Sequence, residues 1–258
     1  MLSTDKAWRK WGRDDPYYGV LADDRFTAAR IADHRAAFFE SGRDTVAEVI
    51  VRHERAFGPL KRGRALDHGC GVGRLTLPLA EAFAEVVAVD VSPTMLAEAQ
   101  ANAADATNIR FVDADDDLSR VTGQFDFVMS LMVLQHVPVK RGLRILDALV
   151  DRVAPGGGFH LHVSLRTDRG GPRWLYWASA NVPGVKLWQN VCAGRAWNAP
   201  AMQMNDYPLA LIVAGLAARG IENLLVTSFS QPRFITCSLI GRVPDQSRTF
   251  PSSSPKNA

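Results

Sequence analysis

The segment Asp67-His68-Gly69-Cys70-Gly71-Val72-Gly73 couples a carboxylate to three glycines at alternate positions. Glycine reaches positive φ without strain and lets a ligand come close where a Cβ would collide. Amides at the start of a following helix are free donors, so these residue types suit a turn that cradles a ligand. Asp90 follows Gly73 by 17 residues and closes the apolar run Val86-Val87-Ala88-Val89. A carboxylate placed there can accept both hydroxyls of a ribose. A third chemistry sits in Leu131-Met132-Val133-Leu134-Gln135-His136-Val137-Pro138. The His136 imidazole titrates near neutrality and is the candidate base for a hydroxyl acceptor. His160 and His162 alternate along an apolar run and read as structural, and His34 and His53 show no partner. No spacing of His, Cys or Asp suggests a metal site.

These groups need elements that bring them to one edge. Arg64–Asp67, Val86–Val89, Ile109–Val112, Phe125–Leu131 and Phe159–Leu165 are short apolar runs that read as strands. Helices are expected after Gly73, from Ser92-Pro93 (a cap followed by proline at the first helical position), and over Arg141–Val153, which Pro155-Gly156-Gly157-Gly158 ends. Strands alternating with helices call for a mainly parallel sheet covered on both faces. Tyr207–Arg219 reads as a further helix. Leu224–Phe229 and Phe234–Arg242, joined through Ser-Gln-Pro, read as an antiparallel hairpin at the sheet edge.

Two cofactor classes compete for the glycine turn. A dinucleotide site prefers GxGxxG/A, whose third glycine lets helix and strand pack closely. Counted from Gly69 that position is Arg74, and counted from Gly71 it is Thr76, so both registers fail. Asp67 at the mouth of the turn would also repel a pyrophosphate. It would not repel a cationic nucleoside bearing an amino acid, which favours S-adenosylmethionine over NAD.

Ala65–Gly73 resembles the glycine-rich first motif of the class I S-adenosylmethionine-dependent methyltransferases. Val87–Leu96 is similar to their second motif, Phe111–Leu118 to the third, Phe125–Leu131 to the fourth, and Val153–Gly157 to the turn before the fifth strand. The resemblance covers about residues 60–165 in the family's order. It implies a Rossmann-like, doubly wound α/β fold with seven strands, six parallel and the last antiparallel. By position it implies that Gly69 and Gly71 line the methionine part of the cofactor and that Asp90 holds the ribose. Val91 would flank adenine, an acid of Asp115-Asp116 would accept its amino group, and Leu131 would lie near the reacting methyl. His68 stands where the family commonly has an aliphatic residue.

All six Trp and four Tyr fall outside residues 19–173. The core therefore lacks the large amphipathic rings that suit a small-molecule pocket. Nine of the ten fall in a leader, Trp8 through Tyr18, and in an aromatic cap over 166–205; the tenth is Tyr207. Trp174, Trp177, Tyr17 and Met132 are the expected acceptor contacts, and Tyr18 is expected to close over the cofactor. The divisions that follow are a helical lid over 1–60, a binding core over 61–165, the cap over 166–205, a completing helix and hairpin over 206–243, and a disordered tail over 244–258. Net charge is +3, from 30 basic and 27 acidic residues without a basic run, so no nucleic-acid partner is expected. Three scattered cysteines, an N-terminus unlike a secretory signal and no long apolar span point to the cytoplasm and away from membranes. The expected activity is methylation of a hydroxyl on a natural product or sugar, with homodimerisation left open. The rivals are N-methylation of a small amine, a non-catalytic cofactor-binding scaffold or sensor and, more distantly, a nicotinamide-dependent reductase.

Overall fold

The computed structural model describes residues 4–167, 185, 202–231 and 234–245. Three helices precede the sheet: α1 (Thr4–Asp14), α2 (Pro16–Val20) and the long α3 (Ile31–Phe57), which Gly58 closes at φ +82°. The alternation follows: β1 (Arg64–His68), α4 (Thr76–Ala82), β2 (Glu85–Asp90), α5 (Pro93–Asn102), β3 (Ile109–Asp113), β4 (Phe125–Ser130), α6 (Val139–Asp151) and β5 (Val153–Thr167). Then come α7 (Leu209–Ala218), β6 (Leu224–Gln231) and β7 (Phe234–Arg242).

The strands form one seven-stranded sheet in the order β3-β2-β1-β4-β5-β7-β6. The pairs from β3 to β5 are parallel, and β7 runs antiparallel to both β5 and β6. The chain thus has the Rossmann-like α/β architecture expected, with the reversed strand inserted beside β5. Val86, Val87, Ala88 and Val89 are wholly buried because helices cover both sides of β2. Leu146, Leu149 and Val150 of α6 pack with Ile212 and Leu216 of α7 on one face, against Leu66, Val128, Phe159 and Leu161. Val46, Val49 and Ile50 of α3 and Leu79 of α4 cover the other, against Ala65, Val86, Phe127 and Met129.

The fifth strand begins at Val153 rather than at Phe159. The Pro-Gly-Gly-Gly stretch does end α6, but it then pairs beside Phe125 through an irregular register before regular pairing resumes at Phe127 and Gly158. Most of the expected cap, including Trp174 and Trp177, lies outside the described residues, as does the tail beyond Asp245. Among the described residues no helix is long and apolar enough to cross a membrane.

Candidate functional site

β1, β2 and β4 end on one edge, and the turn after β1 is held there by its backbone. The amides of Gly69 and Cys70 both donate to the Val89 carbonyl, at 2.8 and 3.0 Å, tying the turn to the end of β2. Gly69, Gly71 and Gly73 take φ of +75°, +54° and +88°, the left-handed region that L side chains resist. Packing enforces the first two. A Cβ on Gly69 would strike Val133 and one on Gly71 would strike Val20, so α2 and the loop after β4 close directly onto the turn.

Asp90 completes the hinge. Its Oδ2 accepts from the Gly71 amide at 3.0 Å and its Oδ1 from the Ser92 amide at 2.8 Å. Two backbone donors fix the carboxylate while each oxygen keeps a lone pair. Asp67 is 2% exposed and accepts a 2.7 Å bond from Thr76 Oγ1. Burial raises both carboxyls to about 6 against the bonds that favour their charged forms. His68 fills the space beside β4, with Nδ1 3.0 Å from Ser130 Oγ, and burial lowers its pKa to about 4. It is a neutral packing group at the site. Burial also pushes the Cys70 thiol well up, away from nucleophilic chemistry.

Asp67, Gly69, Gly71, Asp90, Val91, Asp115, Asp116, Leu131, Met132 and His136 all line one cavity that opens to solvent. Asp115 accepts from the Ser119 amide and hydroxyl at 2.8 and 2.5 Å, while Asp116 is paired with Arg141 at 2.7 Å and Arg144 at 3.4 Å. Met132 adopts φ +58°, an uncommon backbone for a non-glycine residue at the cavity wall.

His136 ends a 3-10 turn, Leu134–His136, after β4. Its Nδ1 lies 2.7 Å from the Gln203 carbonyl, an acceptor only, so this nitrogen carries the proton. Nε2 is left with the lone pair, 3.3 Å from Gln135 Nε2. Burial lowers the His136 pKa and keeps the ring neutral. The Trp8 ring sits 4.9 Å from it, brought over by α1. Three contacts dock α1 across the mouth: Asp5 to Arg141 at 2.6 Å, Thr4 Oγ1 to Gln203 Oε1 at 3.3 Å, and Arg9 Nε to the Val91 carbonyl at 3.2 Å.

Tyr17 and Tyr18 do not line the cavity. Tyr17 packs edge-on to Phe38 at 5.1 Å, and its hydroxyl donates to Glu98 at 2.7 Å. Tyr18 packs beside Trp11 at 5.7 Å. The aromatic side chain of the leader that reaches the site is Trp8, one helical turn before Trp11. Two further residues escaped the sequence reading. Tyr207 places its buried hydroxyl 2.8 Å from the Leu134 carbonyl and 2.9 Å from that of Val137, steadying the turn that carries His136. Arg74 lines the cavity although it is 3% exposed. Its position directly after the third glycine is the one signal that could have found it. Among the described residues no group of His, Cys, Asp and Glu is arranged to hold a metal ion.

Residues 65–157 match a family model described as a methyltransferase domain. The ubiquinone biosynthesis O-methyltransferase of Azorhizobium caulinodans is 40% identical over 100 residues, 36% of this chain and 39% of that protein. The match thus spans about two fifths of the relative's length. The crystal structure of magnesium protoporphyrin IX methyltransferase from Synechocystis PCC 6803 with bound S-adenosylhomocysteine superposes with a TM-score of 0.61 at 21% identity, covering 93% of this chain and 99% of that one. The N-methyltransferase NodS from Bradyrhizobium japonicum, with the same ligand, gives 0.59 at 13% identity over 94% and 100% of the two chains. At these identities the two structures establish the shared fold.

Proposed function

We propose, from the methyltransferase-domain match over residues 65–157 and the shared fold, that the chain is a class I S-adenosylmethionine-dependent methyltransferase that transfers a methyl group to a hydroxyl of a small molecule. The Asp90 carboxylate carries this reading. It is fixed by the Gly71 and Ser92 amides and lines the cavity with acceptor capacity to spare for two ribose hydroxyls. S-adenosylmethionine, when bound, supplies a methyl already activated on a sulfonium.

The residues of the chain fit that cofactor. Asp67 and Asp90 offer two anions to a cationic nucleoside, and Gly69 and Gly71 present backbone rather than side chains beside them. Val91 and Ala114 supply an apolar wall for a flat base, and Asp115 retains lone pairs for an exocyclic amine. Leu131, Met132, Trp8, His136 and Ile145 line the same cavity, and we place the reacting methyl beside Leu131 with the acceptor toward Trp8 and His136. A hydroxyl acceptor would enter on that side. His136 Nε2 would take its proton, and the Nδ1–H bond to Gln203 would stabilise the imidazolium that forms. Alignment and exclusion of water supply the rest, and the contacts of α1 across the mouth serve both.

Screening phenols, sugars and small amines for release of S-adenosylhomocysteine tests the proposal. Turnover with a hydroxyl acceptor that is lost in His136→Ala supports it. Turnover with amines alone, insensitive to His136, would replace O-methylation by N-methylation.

A further inference from the structure

Among the described residues β6 ends the sheet, paired with β7 alone. Its outer side therefore presents a row of backbone N–H and C=O groups ready to pair. Of the five large apolar side chains exposed among the described residues, three sit on this one strand: Leu225, Val226 and Phe229, at 36, 42 and 40%. Alternation puts Leu225 and Phe229 on one face of the sheet and Val226 on the other, so neither face of the strand is covered. The sequence of β6, LLVTSFSQ, holds no charged residue and no proline, the usual devices that keep a solvent-facing edge from pairing. Arg52 of α3 lies above it, bonded to Thr227 Oγ1 at 2.7 Å and 5.6 Å over the Phe229 ring, and Glu48 offsets its charge at 3.5 Å. On the opposite face Leu224 packs with Ile212 and Leu216 of α7, a helix without a charged residue.

We infer that β6 is the contact between two copies of this chain, which pair their β6 strands antiparallel about a two-fold axis at Thr227. The strand is complementary to itself in that register. Leu225 opposes Phe229 of the second copy, an apolar–aromatic pair that symmetry makes twice, while Val226 opposes Ser228 and Leu224 opposes Ser230. Eight residues at about 3.3 Å apiece give a contact about 26 Å long. No like charges on the strands meet across it, and each Arg52 keeps its own carboxylate, so a second copy desolvates no unpaired ion. A different partner would need a matching uncharged edge of its own; a second copy brings one by identity. Antiparallel pairing reverses the second sheet, so the two cavities open at opposite ends of the joined sheet.

Sedimentation equilibrium of the full chain and of Val226→Lys tests it, with melting curves to show that the variant folds. Wild type should sediment as a dimer, and Val226→Lys should weaken association about tenfold, because the two-fold repeats every lost cross-strand pair. Thr227→Cys gives an independent reading that does not depend on Val226→Lys folding. At the axis its two Cα atoms would stand about 4.5 to 5.5 Å apart, within disulfide reach, so mild oxidation should cross-link this variant well beyond the level seen in wild type. A wild type that stays monomeric at every concentration overturns the inference, as does a dimer that a folded Val226→Lys leaves intact. A dimer in which Thr227→Cys stays uncross-linked overturns the two-fold at Thr227.

Discussion

The two walls of the cavity are built by different means. The side we assign to the nucleoside comes mainly from one stretch, Asp67 to Val91, joined by Ala114 and Asp115, and is held mainly by backbone: amides on the Val89 carbonyl, amides on Asp90, and glycines at positive φ. The side we assign to the acceptor is assembled from α1, the turn after β4 and α6, with Gln203 bonded to Thr4 and His136 behind them. Side chains hold it, among them the Asp5–Arg141–Asp116 chain and the His136–Gln203 bond. A wall made of local backbone geometry tolerates few substitutions. A wall made of partly exposed ion pairs between distant segments can be altered piece by piece, which suits the side that chooses an acceptor.

The sharpest contrast should come from His136. Replacement by Ala or Gln is expected to lower kcat about 10²- to 10⁴-fold, the usual contribution of a general base, with cofactor affinity held within about threefold. Stopped assays and calorimetry on one preparation separate the two. Equal loss in both would make the histidine structural and erase the division between the walls. On the other wall, Asp90→Ala should cost about 2 kcal/mol of cofactor affinity, or roughly 30-fold, through lost charge-assisted bonds. Unchanged affinity in a cooperatively folded variant would count against the ribose role.

The difference in legibility follows the same division. The geometry around the glycine turn was readable because its constraints are short in sequence: a glycine turn between two apolar strands, then an acid at the end of the second. Strand β5 was misplaced at its start because its glycines resemble a break until Phe125 pairs beside Val153. On the acceptor wall, Tyr17 and Tyr18 were reasonable from ring chemistry alone. Yet the helical phase of α1 and α2 turns Tyr17 into a cluster with Phe38 and presents Trp8 instead. Tyr207 and Gln203 meet His136 and its turn across 67 to 73 residues, a distance over which pattern carries no signal.

Proton uptake offers a third contrast. Asp67 and Asp90 hold pKa values near 6 in the ligand-free fold, above the usual 3.8. A cationic ligand that donates hydrogen bonds favours their ionised forms. Affinity should therefore be flat above about pH 7 and fall below pH 6, about tenfold per unit for each proton that must leave. The same values imply that the ligand-free fold loses stability as pH rises from about 4 to 6, because the folded state keeps protons that the unfolded chain has released. Melting curves with and without S-adenosylmethionine across that range should diverge, the free protein losing stability with rising pH while the bound protein does not; parallel curves would show that these acids do not face the ligand. The smallest effect belongs to the α1 docking contact. Asp5→Asn should raise the acceptor KM about two- to fivefold, the scale of a partly exposed ion pair, and leave cofactor binding unchanged. A large loss of cofactor affinity would instead put α1 on the nucleoside wall.

Titration of the unmodified chain with S-adenosylmethionine and with NADH in one calorimeter most directly addresses whether the glycine turn and its two buried acids hold a sulfonium nucleoside. A single saturable site for the former and no heat from the latter is the outcome expected from Gly71, Asp67 and Asp90 as they stand. Saturable NADH binding, or no response to S-adenosylmethionine by a folded protein, would contradict it.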